Sequence, residues 1–211
     1  MSRTDQREAE RGQILRLMAG LAPFDKAAPV RVLDIGSGHG PVAAAILDAF
    51  PNGTAVGLDM SDAMMEVGRE RMARFGDRFR YHVGDFAHGL PAGLPGPFHI
   101  AVASASIHHL PPEDKRVLYR SIFECLAPGG CFFNLDTMNP RDEYLRARYR
   151  AVRDAREGSR EERRSPTQHS MSFAHYMDPV EDHLALMREA GFAPVDCFWK
   201  HLTLVGGFKP G

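Results

Sequence analysis

The chain has 211 residues, 44% apolar and 25% charged, which is enough for one well-filled domain and short for two. Its formal net charge of −1 supplies no general attraction to nucleic acid or to an anionic membrane. No run approaches 18 apolar residues, and the start, MSRTDQREAERGQ, lacks the apolar core of a signal peptide, so a cytoplasmic protein is expected. Cys125, Cys131 and Cys197 lie far apart without metal-ligand spacing and read as reduced, mostly buried thiols.

Ile14, Leu15, Leu17, Met18 and Leu21 predict an amphipathic helix from about Thr4 to Ala19. It reads first as a cover for the sheet edge, and second as a cap over a ligand or part of a substrate wall. Val30-Arg31-Val32-Leu33 then predicts a strand that stops at Asp34. Gly36, Gly38 and Gly40 follow, and Pro41 to Leu47 predicts a helix with proline in its first turn, where the missing N–H costs nothing. Glycines take φ > 0 and carry no Cβ, so a ligand can lie directly on such a backbone. The helix behind them presents unsatisfied N–H groups and a partial positive charge. The G-x-G-x-G spacing is one residue tighter than the dinucleotide fingerprint. Asp34 would repel a pyrophosphate but suits a ligand with an ammonium group.

The stretch VLDIGSGHG, residues 32–40, resembles the first motif of the class I S-adenosylmethionine-dependent methyltransferases, whose cofactor carries an α-amino group. The competing reading is a glycine turn that binds nothing. The resemblance implies cofactor contacts at Asp34, Gly36, Ser37, Gly38 and Gly40. The helix should run to about Phe50 and stop at Pro51-Asn52-Gly53. A second strand, Thr54 to Leu58, ends at Asp59, which stands 19 residues after Gly40 and fits an acid that accepts ribose hydroxyls. Its other reading, a helix cap, is weaker because Ser61 already supplies one. The string GLDMSDAMMEVGRER resembles the family's second motif, which implies that Met60 lies against the adenosine.

Phe79 to Val83 alternates as a strand does and leads into Gly84-Asp85-Phe86. By resemblance Asp85 accepts from the adenine amino group and the backbone at Phe86 reads the ring edge. Phe98 to Ala103 reads as the fourth, central strand and runs into Ser104, another expected cofactor contact. His108-His109 follows, where the family's activated methyl faces the acceptor. A neutral imidazole there can take a proton from an acceptor hydroxyl or amine. A positioning role for the pair is preferred over proton acceptance, and no metal is expected, since adjacent histidines do not easily face one ion. A helix from Pro112 carries Val117, Leu118, Ile122, Phe123 and Leu126 on one stripe. Its end, LAPGG before the strand Cys131 to Leu135, is a further family hallmark.

Residues 137–178 are too long for a simple connection. Tyr144, Leu145, Tyr149 and Val152 predict one helix face, among arginines largely offset by acids. That mixture reads as a solvated helix ahead of an RNA-docking surface. The segment is expected to form a helical lid over the carboxyl edge, with Tyr144, Arg148, His169, His175 and Tyr176 as candidates for substrate contact. A helix from Asp178-Pro179 to Gly191 and two strands, Ala193 to Trp199 and Leu202 to Phe208, complete the chain. The expected fold is a single α/β domain over 1–211, a Rossmann-like sandwich of seven strands, mostly parallel, with an antiparallel strand from the C-terminal hairpin. The expected function is methyl transfer from S-adenosylmethionine to a small-molecule acceptor at oxygen, nitrogen or carbon, with no membrane and no nucleic-acid partner; a homodimer is left open. The competing functions are an RNA or protein methyltransferase docking through the arginine-rich segment, and a non-catalytic S-adenosylmethionine-binding protein.

Overall fold

Residues 3–157, 176–200 and 203–211 are described by the structure, a computed structural model. The side-chain alternation of β1 (Arg31–Ile35) decides where the core lies. Val32 buries on one face of the sheet and Leu33 on the other, so the strand must be covered on both sides. β1 pairs in parallel with β2 (Thr54–Asp59) and with β4 (Phe98–Ser104), and β2 pairs with β3 (Phe79–Val83). β4 pairs in parallel with β5 (Leu126–Asp136). β7 (Thr203–Phe208) runs antiparallel to both β5 and β6 (Val195–Lys200), which gives one seven-stranded sheet in the order β3-β2-β1-β4-β5-β7-β6.

One face is covered by α1 (Arg3–Leu21) and α2 (Pro41–Ala49), with Met72 from the end of α3 (Asp62–Met72). Ile14, Met18, Ile46, Leu47 and Phe50 meet Val32, Val102 and Phe133 there. The other face is covered by α4 (Pro112–Cys125) and α6 (Val180–Ala190), whose Leu118, Ile122 and Met187 pack on Leu33, Ala101 and Phe132. α5 (Glu143–Glu157) lies in the connection between β5 and α6.

The helix boundaries follow local chemistry. Pro41 opens α2, Ser61 caps α3 by accepting from the Met64 amide, and α6 ends at Gly191 with φ of 112°. The seven-stranded, mostly parallel sheet with one antiparallel strand is the expected architecture. Three details differ. β5 starts at Leu126 rather than Cys131, because Phe98 pairs with Leu126 before the register shifts to Ile100 with Cys131. The LAPGG string therefore lies within the strand, bent at Gly129 with φ of 74°. α5 does form, yet its apolar positions Leu145, Tyr149 and Val152 stay about half exposed. Among the described residues, no helix is long and apolar enough to cross a membrane.

Candidate active site

Strand order turns back between β1 and β4, so the connections leaving their carboxyl ends diverge and open a crevice. The glycine turn stands at one side of it. Gly36 has φ of 66°, and a Cβ built there would lie 2.3 Å from Cβ of Ser106, in the connection after β4. Bare backbone is therefore required for these two segments to touch. On Gly38, with φ of 52°, a Cβ would meet only Met64 Cε, at 3.4 Å, so its outer side is approachable. Gly40 is pressed against Met72, 2.7 Å from Sδ to the same construction.

Asp34 fixes this turn from beneath. It follows Val32 by two residues, so it shares the face covered by α2, and its Oδ2 accepts from the Ala43 amide in the helix's first turn at 2.9 Å. The side chain is fully buried, and Oδ1 has no hydrogen-bond partner among the described residues. Burial, with the nearby charge of Asp59, raises its pKa to about 7, against the lowering effects of the Ala43 amide and Arg11. Because the folded chain holds this proton well above the unfolded value of 3.8, ionised Asp34 costs stability increasingly from about pH 4 to pH 7. The variant Asp34→Asn keeps an oxygen for Ala43 and does not ionise. In urea unfolding, its stability relative to the parent chain should therefore rise between about pH 4.5 and pH 8, by up to about 4 kcal/mol. A pH-independent difference would contradict the buried carboxyl.

Asp59 sits at the tip of β2 and joins the turn directly. Its Oδ2 accepts from the Gly38 amide at 2.7 Å and its Oδ1 from Ser61 at 2.9 Å. A carboxylate has further lone-pair directions, so it can still accept from ligand hydroxyls. Asp85, just beyond β3, is exposed and accepts from the Ala87 amide at 2.8 Å. Phe86 turns back into the crevice, 3.4 Å from the position a Gly36 Cβ would take. Met60 is 58% exposed at the rim. Ser37 turns inward against Gly57 and is buried. At the tip of β4, Ser104 Oγ accepts from Arg11 Nη2 of α1 at 3.3 Å. α1 is thus more than a cover, since it carries a guanidinium to the crevice between β1 and β4.

His108 and His109 lie on a short 3-10 turn, Ile107–His109, with ring centroids 4.1 Å apart. Asp136, at the end of β5 and only 1% exposed, holds His108 twice: Oδ2 accepts from its amide at 3.0 Å and Oδ1 from Nδ1 at 2.6 Å. That pair fixes both the ring's orientation and its Nδ1-protonated tautomer. Behind it, the Tyr119 hydroxyl donates to His183 Nδ1 at 2.6 Å and accepts from Asn134 at 3.3 Å. Burial, followed by the charge of Lys115, depresses His183 to about 4, so it accepts as neutral imidazole.

The structure therefore brings together the glycine turn, Asp34, Asp59, Phe86, Ser104 and the His108 turn, with Asp85 at the adjacent strand tip. Tyr176 joins them through its backbone, whose amide donates to the His108 carbonyl at 2.7 Å. Tyr144 and Arg148 are exposed on α5, and among the described residues neither bonds to the strand-tip groups. His169 and His175 lie outside the described residues. Sequence reasoning missed Arg11 and Asp136. Asp136 carried the signal that found Asp59, an acid closing an apolar strand; Arg11, one charge among many in a polar helix start, carried none.

Residues 32–130 match a methyltransferase domain model. Carboxy-S-adenosyl-L-methionine synthase of Chromohalobacter salexigens is 26% identical over 202 residues, covering 91% of this chain and 72% of that protein. Ubiquinone/menaquinone biosynthesis C-methyltransferase UbiE of Methylobacterium nodulans is 34% identical over 124 residues, 57% of this chain and 46% of the relative. Among solved structures, the S-adenosylmethionine-dependent methyltransferase SibL in its apo form superimposes with a TM-score of 0.65 at 25% identity, covering 93% of this chain and 55% of that one. The chain thus spans about half the length of the last two. The matched domain over residues 32–130, the strand order and the glycine turn with its strand-tip acids together make the chain similar to the class I S-adenosylmethionine-dependent methyltransferases.

Proposed function

We propose that this protein transfers a methyl group from S-adenosylmethionine to a small molecule, at oxygen, nitrogen or carbon, in the cytoplasm. The observation that carries this reading is the convergence of a bare glycine turn, Asp59 bonded to that turn, and an Asp136-oriented histidine on one edge of the sheet. The relatives' names point the same way, since both concern small molecules.

The residues divide the cofactor between them. Asp59 would receive the ribose hydroxyls and Asp85 the adenine amino group, the backbone at Phe86 would read the ring edge, and Met60 would lie against the adenosine. Gly38, whose outer side is open, would let the methionine part approach bare backbone, while Gly36 and Gly40 close the turn against Ser106 and Met72 and Asp34 holds it from beneath through the Ala43 amide. Arg11, beside Ser104, receives the carboxylate. The bound cofactor supplies a methyl group on a sulfonium, which already has a good leaving group. The protein therefore mainly aligns the acceptor, and such positioning can contribute about 7–11 kcal/mol. His108, with Nδ1 committed to Asp136, takes the acceptor's proton through Nε2, and His109 packs against its ring. The described limbs of the connection, 137–157 and 176–178, carry Tyr144, Arg148 and Tyr176 as candidate acceptor contacts, while the rest of the expected lid, with His175, lies outside the described residues.

Methyl-labelled S-adenosylmethionine incubated with phenols, carboxylic acids, amines and activated-carbon acceptors should leave label on at least one class. Cofactor uptake without label on any of them would contradict catalysis. Arg11→Ala should weaken S-adenosylhomocysteine binding about tenfold, as expected for one charge-assisted hydrogen bond, and leave 5′-methylthioadenosine, which has no carboxylate, unaffected. Equal loss for both ligands in calorimetry would show that Arg11 merely supports the fold.

A further inference from the structure

Lys115 breaks two local rules. It stands in the first turn of α4, where the helix dipole disfavours a cation, and its side chain is fully buried. A buried ammonium is costly, and an apolar residue of similar volume would fill the space as well or better. Such violations mark places where geometry is being specified.

The partners of Lys115 show what is specified. Its Nζ donates to the Tyr176 carbonyl at 2.6 Å and to the Asp178 carboxylate. The Tyr176 amide in turn donates to the His108 carbonyl at 2.7 Å, so both backbone groups of Tyr176 are committed. The Asp178 carbonyl accepts from the Asn139 amide at 3.3 Å, and Asn139 bridges to Pro179, which stitches the two ends of the β5–α6 connection together. His108 is thereby held from two sides, by Asp136 through its ring and amide, and by Tyr176 through its carbonyl.

We propose that Lys115 is a positioning residue: by clamping residues 176–178, it fixes the turn that carries His108 and sets the returning limb of the connection as a wall beside it. This role in catalysis rests on the methyl-transfer reading. The clamp itself can be tested without an acceptor.

Lys115→Met removes the ammonium without leaving a buried charge, and Asp178, 21% exposed, can then be solvated. In this variant, amide exchange at Tyr176 and exchange of the His108 Nδ1 proton, both followed by NMR, should accelerate at least about tenfold. Exchange at Leu33 and Val102 should stay unchanged, and so should calorimetric affinity for S-adenosylhomocysteine. Asp178→Asn, made at the exposed end of the same clamp, should give the same selective pattern if the first variant does not fold. Unchanged exchange at Tyr176 and His108, or acceleration that extends equally to Leu33 and Val102, would overturn the proposal. If the parent chain takes up no S-adenosylhomocysteine, the methyl-transfer reading fails while the exchange data still decide the clamp.

Discussion

Asp136→Asn should lower kcat about 100-fold on the acceptor identified by labelling, while the Kd for S-adenosylhomocysteine stays within about twofold. The carboxylate accepts from both the amide and Nδ1 of His108, and a side-chain amide has one oxygen to offer the two donors. An asparagine that keeps the amide bond turns its NH2 toward Nδ1, and the ring then favours the tautomer with its proton on Nε2. That tautomer cannot take a proton from an acceptor. His108→Ala should give a similar loss, and the double variant should be little worse than either, because the two residues act as one unit. The measurement is steady-state kinetics paired with calorimetry. Parallel loss of turnover and cofactor affinity would mean that the pair only supports the strand tips.

The second large effect is expected at Asp59. Asp59→Ala should raise the Kd for S-adenosylhomocysteine about 100-fold, since hydrogen bonds to a charged group contribute about 1.5–3 kcal/mol each. Two effects combine here. The alanine loses the proposed acceptor for ribose hydroxyls, and it leaves the Gly38 amide without the carboxylate that sets the turn. Asp59→Asn should fall between, because its amide oxygen can keep one of these bonds. A Kd within about threefold of the parent chain for the alanine variant would detach Asp59 from the site.

Much of this was legible from residue order. The strand ending at Asp34, the glycine turn, the acid at Asp59 and the LAPGG string are local signals. Each is decided by a few neighbouring residues, and the structure places β1, β2, β4 and β7 within a residue or two of the expected bounds. The face on which Asp34 lies was legible too, yet its partner was not. A two-residue period puts it with Val32, but only the packed α2 shows that its carboxylate closes on Ala43 rather than standing open to a ligand. The residues that sequence reasoning missed act across long separations. Arg11 and Ser104 are 93 positions apart, and Lys115 and Asp178 are 63 apart. No periodicity records such pairs, and Lys115 in particular reads as one of several solvated charges in PEDKR.

The Asn134–Tyr119–His183 chain has the same character. Each member looks like an ordinary interior or helix-face residue, and only the approach of α6 to α4 and β5 links them into a buried hydrogen-bonded chain, in which Asn134 Oδ1 has no partner among the described residues.

Titration calorimetry with S-adenosylhomocysteine tests the central claim most directly. The geometry of the glycine turn, Asp59 and Arg11 predicts one site per chain with a clear heat of binding, and no uptake of nicotinamide or flavin nucleotides. No heat with S-adenosylhomocysteine, alongside saturable binding of either nucleotide class, would contradict it.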